Sequence, residues 1–253
     1  IMALGTNLGI LAQSGVDSTP FSNIYSLDFD GTDDHLMGGS TFSSLDGLNK
    51  ASFSMWLKPI SGGSTLRMVF QIGVGSTALN SQCQLFLYEG NRIDFSITSG
   101  GQFGRGNISS ITYGSWNHLV IAVDLTHGVN PECQIFVNGA DATTGDNLGS
   151  IGSFPTATDE LYIGESKTGH YNPFSGNIDE FAIWPGTTLT LSQAQAIYNS
   201  GTPTNLANFS PAPSHWWRNG DGDTYPTITD HIGSYNLTMT NMASGDIETD
   251  VPT

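Results

Sequence analysis

The stretch from Gly176 to Trp184 reads GNIDEFAIW. Its residues alternate with the period of a β-strand, which sends neighbours to opposite faces. Asn177, Asp179, Phe181 and Ile183 then share one face, and Ile178, Glu180, Ala182 and Trp184 the other. Two adjacent acids in an otherwise apolar strand admit three readings: a catalytic carboxylate pair, a metal site, or a structural feature of a β-sandwich. A retaining glycosidase needs its two carboxyl groups about 5–5.5 Å apart across the scissile bond. Strand alternation points Asp179 and Glu180 to opposite sides and no third acid follows, so the sequence argues against a catalytic pair.

Eight further runs alternate in the same way: YSLDFDG (25–31), SFSMWLKP (52–59), RMVFQIGV (67–74), CQLFLYEG (83–90), RIDFSIT (92–98), WNHLVIAVDL (116–125), CQIFVNGA (133–140) and ELYIGES (160–166). Turn-rich stretches such as DGTDD separate most of them. One segment differs. In LTLSQAQAIYNSG (189–201), Ser192 reads as an N-cap, Leu191, Ala194, Ile197 and Tyr198 repeat at helical spacing, and Gly201 stands just past the end. The expected fold is all-β, two stacked antiparallel sheets with one short surface helix, and the resemblance set out below makes it a jelly-roll sandwich.

Composition supports this and narrows the partners. The 253 residues are 38% hydrophobic and only 12% charged, a profile of short strands joined by tight turns. Seven basic against 23 acidic residues give a formal charge of −16, a field that repels phosphate backbones and anionic headgroups. Nucleic acid and membrane are therefore excluded as partners, while divalent cations and neutral glycans suit the charge. No run of about 18 apolar residues is present to span a membrane. Residues 1–20 lack a basic n-region and read as an arm or an edge strand, not a secretory signal. Cys83 and Cys133 open separate strand-like runs and are expected as two free, partly buried thiols.

The order of YSLDFDGTDDHL, FSMWLKP, SWNHLVIAVD, CQIFVNGA, LYIG and FSGNIDEFAIWPGTTLTLSQAQAIYNSG resembles the laminin-G-like, concanavalin A-like jelly-roll family over about residues 25–201. SHWWRNGDGDTYPTITDHIGSYNLTMTNM (214–242) resembles the segment that usually opens such domains, placed here after the helix. Residues 21–253 are accordingly expected as one domain, with 214–253 closing the same sandwich. The whole pattern also resembles laminin-G-like proteins of tailed marine bacteriophages. Such a fold carries lectins, adhesion modules, glycosidases and inert structural domains alike.

The resemblance implies a structural calcium on the convex face, held by an Asp of the last strand and oxygens near the first. Asp179 matches the former, and Asp30 or Asp33 the latter. Against this, Asp30, Asp33 and Asp34 suit a tight turn that bonds its own backbone. Asn219, Asp221, Asp223 and Asp230 fall at EF-hand spacing, but Thr224 replaces the required glycine and Pro226 intrudes. The six histidines show no zinc spacing, and no serine lies in a G-x-S-x-G elbow. For sugar binding, the loop KTGHYNPFSG (167–176) offers His170, Tyr171 and Asn172, with Tyr88 and Phe103 as further stacking candidates. Trp56, Trp116 and Trp184 lie inside alternating runs and are expected in the core. The chain is thus expected not to be an enzyme. It reads first as a virion structural or decoration protein, on a virion or other extracellular surface. Its partners would be other virion proteins, copies of itself and cell-surface glycans. A calcium-assisted glycan-binding module is the alternative, and a glycoside hydrolase comes last.

Overall fold

The computed structural model describes residues 21–60, 66–73, 83–88, 92–99, 102–108, 111–126, 128, 132–148, 151–157, 159–167, 169 and 171–253, with backbone alone at 99 and over 102–108 and 145–147. The proposed arm, residues 1–20, lies outside them. Two sheets face each other. The smaller runs in the order Ala140–Asp141, Cys133–Val137, Asn117–Asp124, Lys50–Pro59, Ser175–Pro185, Ser26–Asp30 and Ile247–Glu248, with His215–Trp217 also paired to Ser175–Pro185. The larger runs Gly145–Asn147, Gln102–Ile108, Arg92–Ser99, Cys83–Tyr88, Leu66–Ile72, Leu161–Ile163, His35–Gly38, Leu237–Thr240 and Thr227–Ile228. Pairing is antiparallel throughout, except where the two-residue strand Asn172–Pro173 lies parallel to Leu66–Ile72.

Each alternating run supplies its apolar half to the core between the sheets. Phe53, Met55 and Leu57 enter from one sheet, and Leu85, Leu87, Ile93, Phe95 and Ile97 from the other. Phe53 and Phe70 have centroids 5.2 Å apart, Phe70 and Phe181 5.3 Å, and Phe181 and Trp217 5.6 Å, a ladder of rings across the sandwich. Burying each such side chain contributes about 1.5–3 kcal/mol. Both cysteines are fully buried, more deeply than expected, Cys83 in the larger sheet and Cys133 in the smaller.

A second apolar layer covers the outer face of the smaller sheet, where Val120, Ala122, Phe136, Ala182, Trp184 and Trp216 pack with Ala194 and Ile197 of helix α1, Leu191–Tyr198. Trp184 and Trp56 are therefore buried, but Trp184 belongs to this layer and Trp56 stacks beside His118 and Tyr198. Trp116 departs from expectation: it is only half-buried and its indole N–H donates to Asp250 Oδ1 at 3.1 Å. The helix also starts earlier than its sequence suggests. Thr190, not Ser192, is the N-cap, in a capping box with Gln193, and Asn199 ends the helix in a left-handed conformation. The chain after the helix returns to both sheets, through His215–Trp217 in the smaller and Thr227–Ile228 with Leu237–Thr240 in the larger.

Candidate functional site

The regular alternation expected over 177–184 fails at its centre. Pairing with Lys50–Pro59 runs Asp179 opposite Trp56 and then Ala182 opposite Ser54, so one extra residue is inserted as a β-bulge. Glu180 takes φ +51°, a left-handed conformation that a non-glycine residue seldom adopts. The bulge resets the faces. Ile178, Phe181 and Ile183 all enter the central core, and the two acids between them both turn to the outer side. The expectation that Asp179 and Glu180 point to opposite sides is thereby corrected.

Both acids are sealed, with Asp179 0% and Glu180 3% exposed. Asn23 Nδ2 donates to Asp179 Oδ2 at 2.7 Å and the Glu180 amide to Asp179 Oδ1 at 2.8 Å. Glu180 accepts from Trp216 Nε1 at 2.5 Å and from Arg218 Nε at 3.2 Å. Arg218 continues to Asp221 Oδ2 at 3.3 Å, and its guanidinium lies over the Phe21 ring, 4.6 Å from the centroid. Burial, reinforced by the charge of Glu180, pushes Asp179 well above the usual carboxylate range. Burial lifts Glu180 to about 8 even though Arg218 and Trp216 oppose it. Two amide oxygens here, Asn23 Oδ1 and Asn219 Oδ1, are buried with no donor.

This arrangement redistributes the expected metal ligands. Asp30 and Asp33 do lie together with Asp34, their carboxylate oxygens within 4.8 Å of one another. Asp179 is not with them: Asp30 pairs with Ser175, four residues back along the strand, or about 13 Å at 3.3 Å per residue. The Asp30, Asp33 and Asp179 set is therefore not one site. Asp30 Oδ1 accepts from the Thr32 and Asp33 amides, as a self-bonded turn requires. Burial acts upward on Asp30, but these bonds outweigh it and hold its carboxyl below the usual range. In the EF-hand-like segment, Asp221 accepts from the Ile24 and Tyr25 amides and Asp223 from those of Gly220 and Thr229.

The sugar-binding candidates gather on the outer face of the larger sheet. Three cross-strand rows define it. Gln71, Gln84 and Ser96 form the first, Met68, Phe86 and Asp94 the second, and Leu66, Tyr88 and Arg92 the third. Arg92 grips Asp94 through Nε at 2.7 Å and Nη2 at 2.8 Å, with its guanidinium 4.9 Å from the Tyr88 ring centroid. Tyr171 packs edge-on against Phe86 at 4.6 Å, and burial followed by the nearby Tyr88 raises its phenol. Exposed Asn172 donates to the Leu66 carbonyl at 3.1 Å. Tyr88, Tyr171 and Asn172 are thus brought to one end of the sheet. His170 and the Phe103 side chain lie outside the described residues. Sequence reasoning missed the floor of this face. Gln84 and Ser96, each 1% exposed, leave both amide atoms of the one and the hydroxyl of the other without a partner.

A two-sheet sandwich with a polar and aromatic outer face is the architecture of a lectin-like domain. Residues 30–195 match the concanavalin A-like lectin/glucanases superfamily, and the chain belongs to that superfamily. No curated protein matches it. Among solved structures it is similar to a heptameric SAP-like pentraxin of Limulus polyphemus, at 15% identity and TM-score 0.54 over 88% of this chain and 98% of the pentraxin. A CBM40 module of the Ruminococcus gnavus IT-sialidase, solved bound to α2,3-sialyllactose, aligns at 13% identity and TM-score 0.50 over 68% of this chain and 96% of the module. Tailspike protein 2 of an Escherichia coli O157:H7 bacteriophage aligns at 15% identity and TM-score 0.52, over 78% of this chain but 26% of the tailspike. At these identities the likeness is one of fold.

Proposed function

We propose that this chain is a glycan-binding attachment module that holds sugars on the outer face of its larger sheet and does not cleave the glycosidic bonds of what it binds. The observation that carries the reading is the end of that face where Tyr88, Tyr171 and exposed Asn172 come together. Tyr88 and Tyr171 offer ring faces to the apolar side of a pyranose, and the Asn172 amide lies beside them for its hydroxyls. The −16 charge favours neutral glycans over anionic ones.

Calcium belongs in this proposal at the Asp179 cluster, not at the Asp30 turn. The donor set there suits a hard cation: buried carboxylates held against their preferred ionisation, and the unpartnered oxygens of Asn23 and Asn219. A bound ion would supply the positive charge that lets Asp179 ionise, fixing 21–25 onto the strand Ser175–Pro185. Display on a virus particle is the setting we assign. Its supports are the fold shared with part of a phage tailspike and the resemblance to laminin-G-like phage proteins.

A broad glycan array tests the proposal, probed with and without EDTA and with a Tyr88→Ala/Tyr171→Ala double variant alongside. The expected result is binding to neutral glycans that the double variant weakens about tenfold or more, equivalent to about 1.4 kcal/mol. Silence on every glycan, or binding indifferent to both tyrosines, overturns it. A melting temperature unmoved by EDTA removes calcium from the account.

A further inference from the structure

Where the chain crosses from the smaller sheet to the larger, three side chains far apart in sequence meet in line. Ser44 Oγ lies 2.8 Å from His215 Nε2, and His215 Nδ1 lies 2.7 Å from Asp230 Oδ2. Asp230 is buried and heavily supported. Its Oδ1 accepts from the amides of Trp216, Ile232 and Gly233, at 3.0, 3.3 and 2.9 Å, and its Oδ2 from that of Tyr235 at 3.1 Å. Burial acts upward on this carboxyl, but the bonds from His215 and the amides outweigh it and hold it below the usual range. An ionised carboxylate only accepts, so Nδ1 of His215 carries the hydrogen. In the neutral form of the ring Nε2 is the acceptor, and the Ser44 hydroxyl donates to it.

The ring is also fixed in orientation. Trp217 stacks on His215 at 5.5 Å with an interplanar angle of 5°, and Phe42 lies 5.0 Å away on the chain that carries Ser44. Gly233 permits the close approach, since a Cβ there would meet Asp230 Oδ2 at 2.3 Å and His215 Nδ1 at 2.8 Å. Ser44 is half-buried and the His215 side chain 12% exposed, so the hydroxyl end of the line is the end nearer to solvent. The Ser44 and Leu45 amides, in the turn closed by the Asp46 amide on the Ser43 carbonyl, have no acceptor among the described residues.

We propose that Ser44, His215 and Asp230 form a nucleophile–base–orienting group for acyl transfer, with an uncharged O-acyl ester as substrate. Ser44 Oγ bonds to the acyl carbon while His215 Nε2 takes its proton. The acyl–oxygen bond then breaks and the same proton passes to the departing alkoxide, which leaves as the alcohol. Water attacks the acyl-serine, gives a proton to Nε2, and that proton returns to Ser44 as the carboxylic acid departs. Such triads are recognised by geometry and not by chain order, which is why the absence of a G-x-S-x-G elbow does not oppose it. The acidic surface disfavours anionic esters. This goes beyond the glycan reading and departs from the expectation that the chain is not an enzyme.

The test treats the intact chain with a fluorophosphonate probe and maps the labelled peptide by mass spectrometry, with p-nitrophenyl acetate hydrolysis measured in parallel. Labelling of Ser44 is expected. Ser44→Ala should abolish both signals, and His215→Gln, checked by near-UV circular dichroism, should slow labelling about a hundredfold. Labelling of Ser44 no faster than in the urea-unfolded chain overturns the proposal and leaves a structural clamp, as does an unchanged rate in folded His215→Gln. Should that variant not fold, Ser44→Cys decides: a thiol beside the imidazole must react with iodoacetamide faster than glutathione does, and equal rates refute the proposal. Cys83 and Cys133 are fully buried and do not compete.

Discussion

His118 gives the fold a defined sensitivity to acid. The ring is 1% exposed, held by Ser54 Oγ at 2.9 Å from Nε2 and packed between Trp56 and Tyr198. Burial lowers its pKa from 6.5 to about 3. A base depressed by folding binds its proton more readily in the unfolded chain. Its contribution is therefore complete above 6.5 and is lost progressively as pH falls from 6.5 towards about 3. At about 1.4 kcal/mol per pH unit the whole window is worth about 5 kcal/mol, of which about 2 kcal/mol falls between about pH 7 and about pH 5. In His118→Gln the amide oxygen can still accept from Ser54 but nothing titrates. Urea unfolding of both proteins at those two pH values reads the effect, because the carboxylates contribute alike to each and cancel in the difference. Wild type should lose about 2 kcal/mol more than the variant over that interval. Parallel losses would show that the imidazole is not held neutral by burial, and the reasoning would fail.

Three further outcomes follow from the packing. Gly176 has φ +125°, and a Cβ there would sit 2.2 Å from the Lys58 carbonyl oxygen. Gly176→Ala should therefore cost more than about 3 kcal/mol, seen as a collapse of the urea midpoint; a shift within the noise would contradict the contact. Phe181→Ala removes the link between the Phe70 and Trp217 rings and should cost about 3–5 kcal/mol in the same assay, whereas under 1 kcal/mol would mean the core refills. Thr190→Ala removes the helix cap and should cost about 1 kcal/mol while leaving glycan binding intact; loss of binding would place the helix in the site.

The architecture was legible because a strand that sends every second residue into the central core leaves a period of two in the sequence, as in Phe53, Met55 and Leu57 against Ser52 and Ser54, even though the outer layer buries the serines as well. The short strand His35–Gly38 carries too few residues to show that period, and Gln102–Ile108 is broken by Gly104 and Gly106. The sites were less legible for a related reason. Gln84 and Ser96 occupy solvent-face positions of their strands, and only the folded chain shows that they are enclosed and unpaired. Ser44, His215 and Asp230 share no local pattern at all. The bulge is the most instructive case, because no glycine announces the left-handed Glu180, and one inserted residue turns Phe181 and Ile183 to the face opposite Asp179. The sequence-based argument against a catalytic pair rested on those assignments and does not survive. Burial supplies a different argument. Asp179 and Glu180 share a side, but Asn23, Trp216 and Arg218 already occupy their oxygens and leave them at most 3% exposed. A glycosidase needs one carboxyl open to the leaving group and the other to the anomeric carbon. Carboxylates closed over by their own chain meet the needs of a proton or a cation, and not those of a sugar ring.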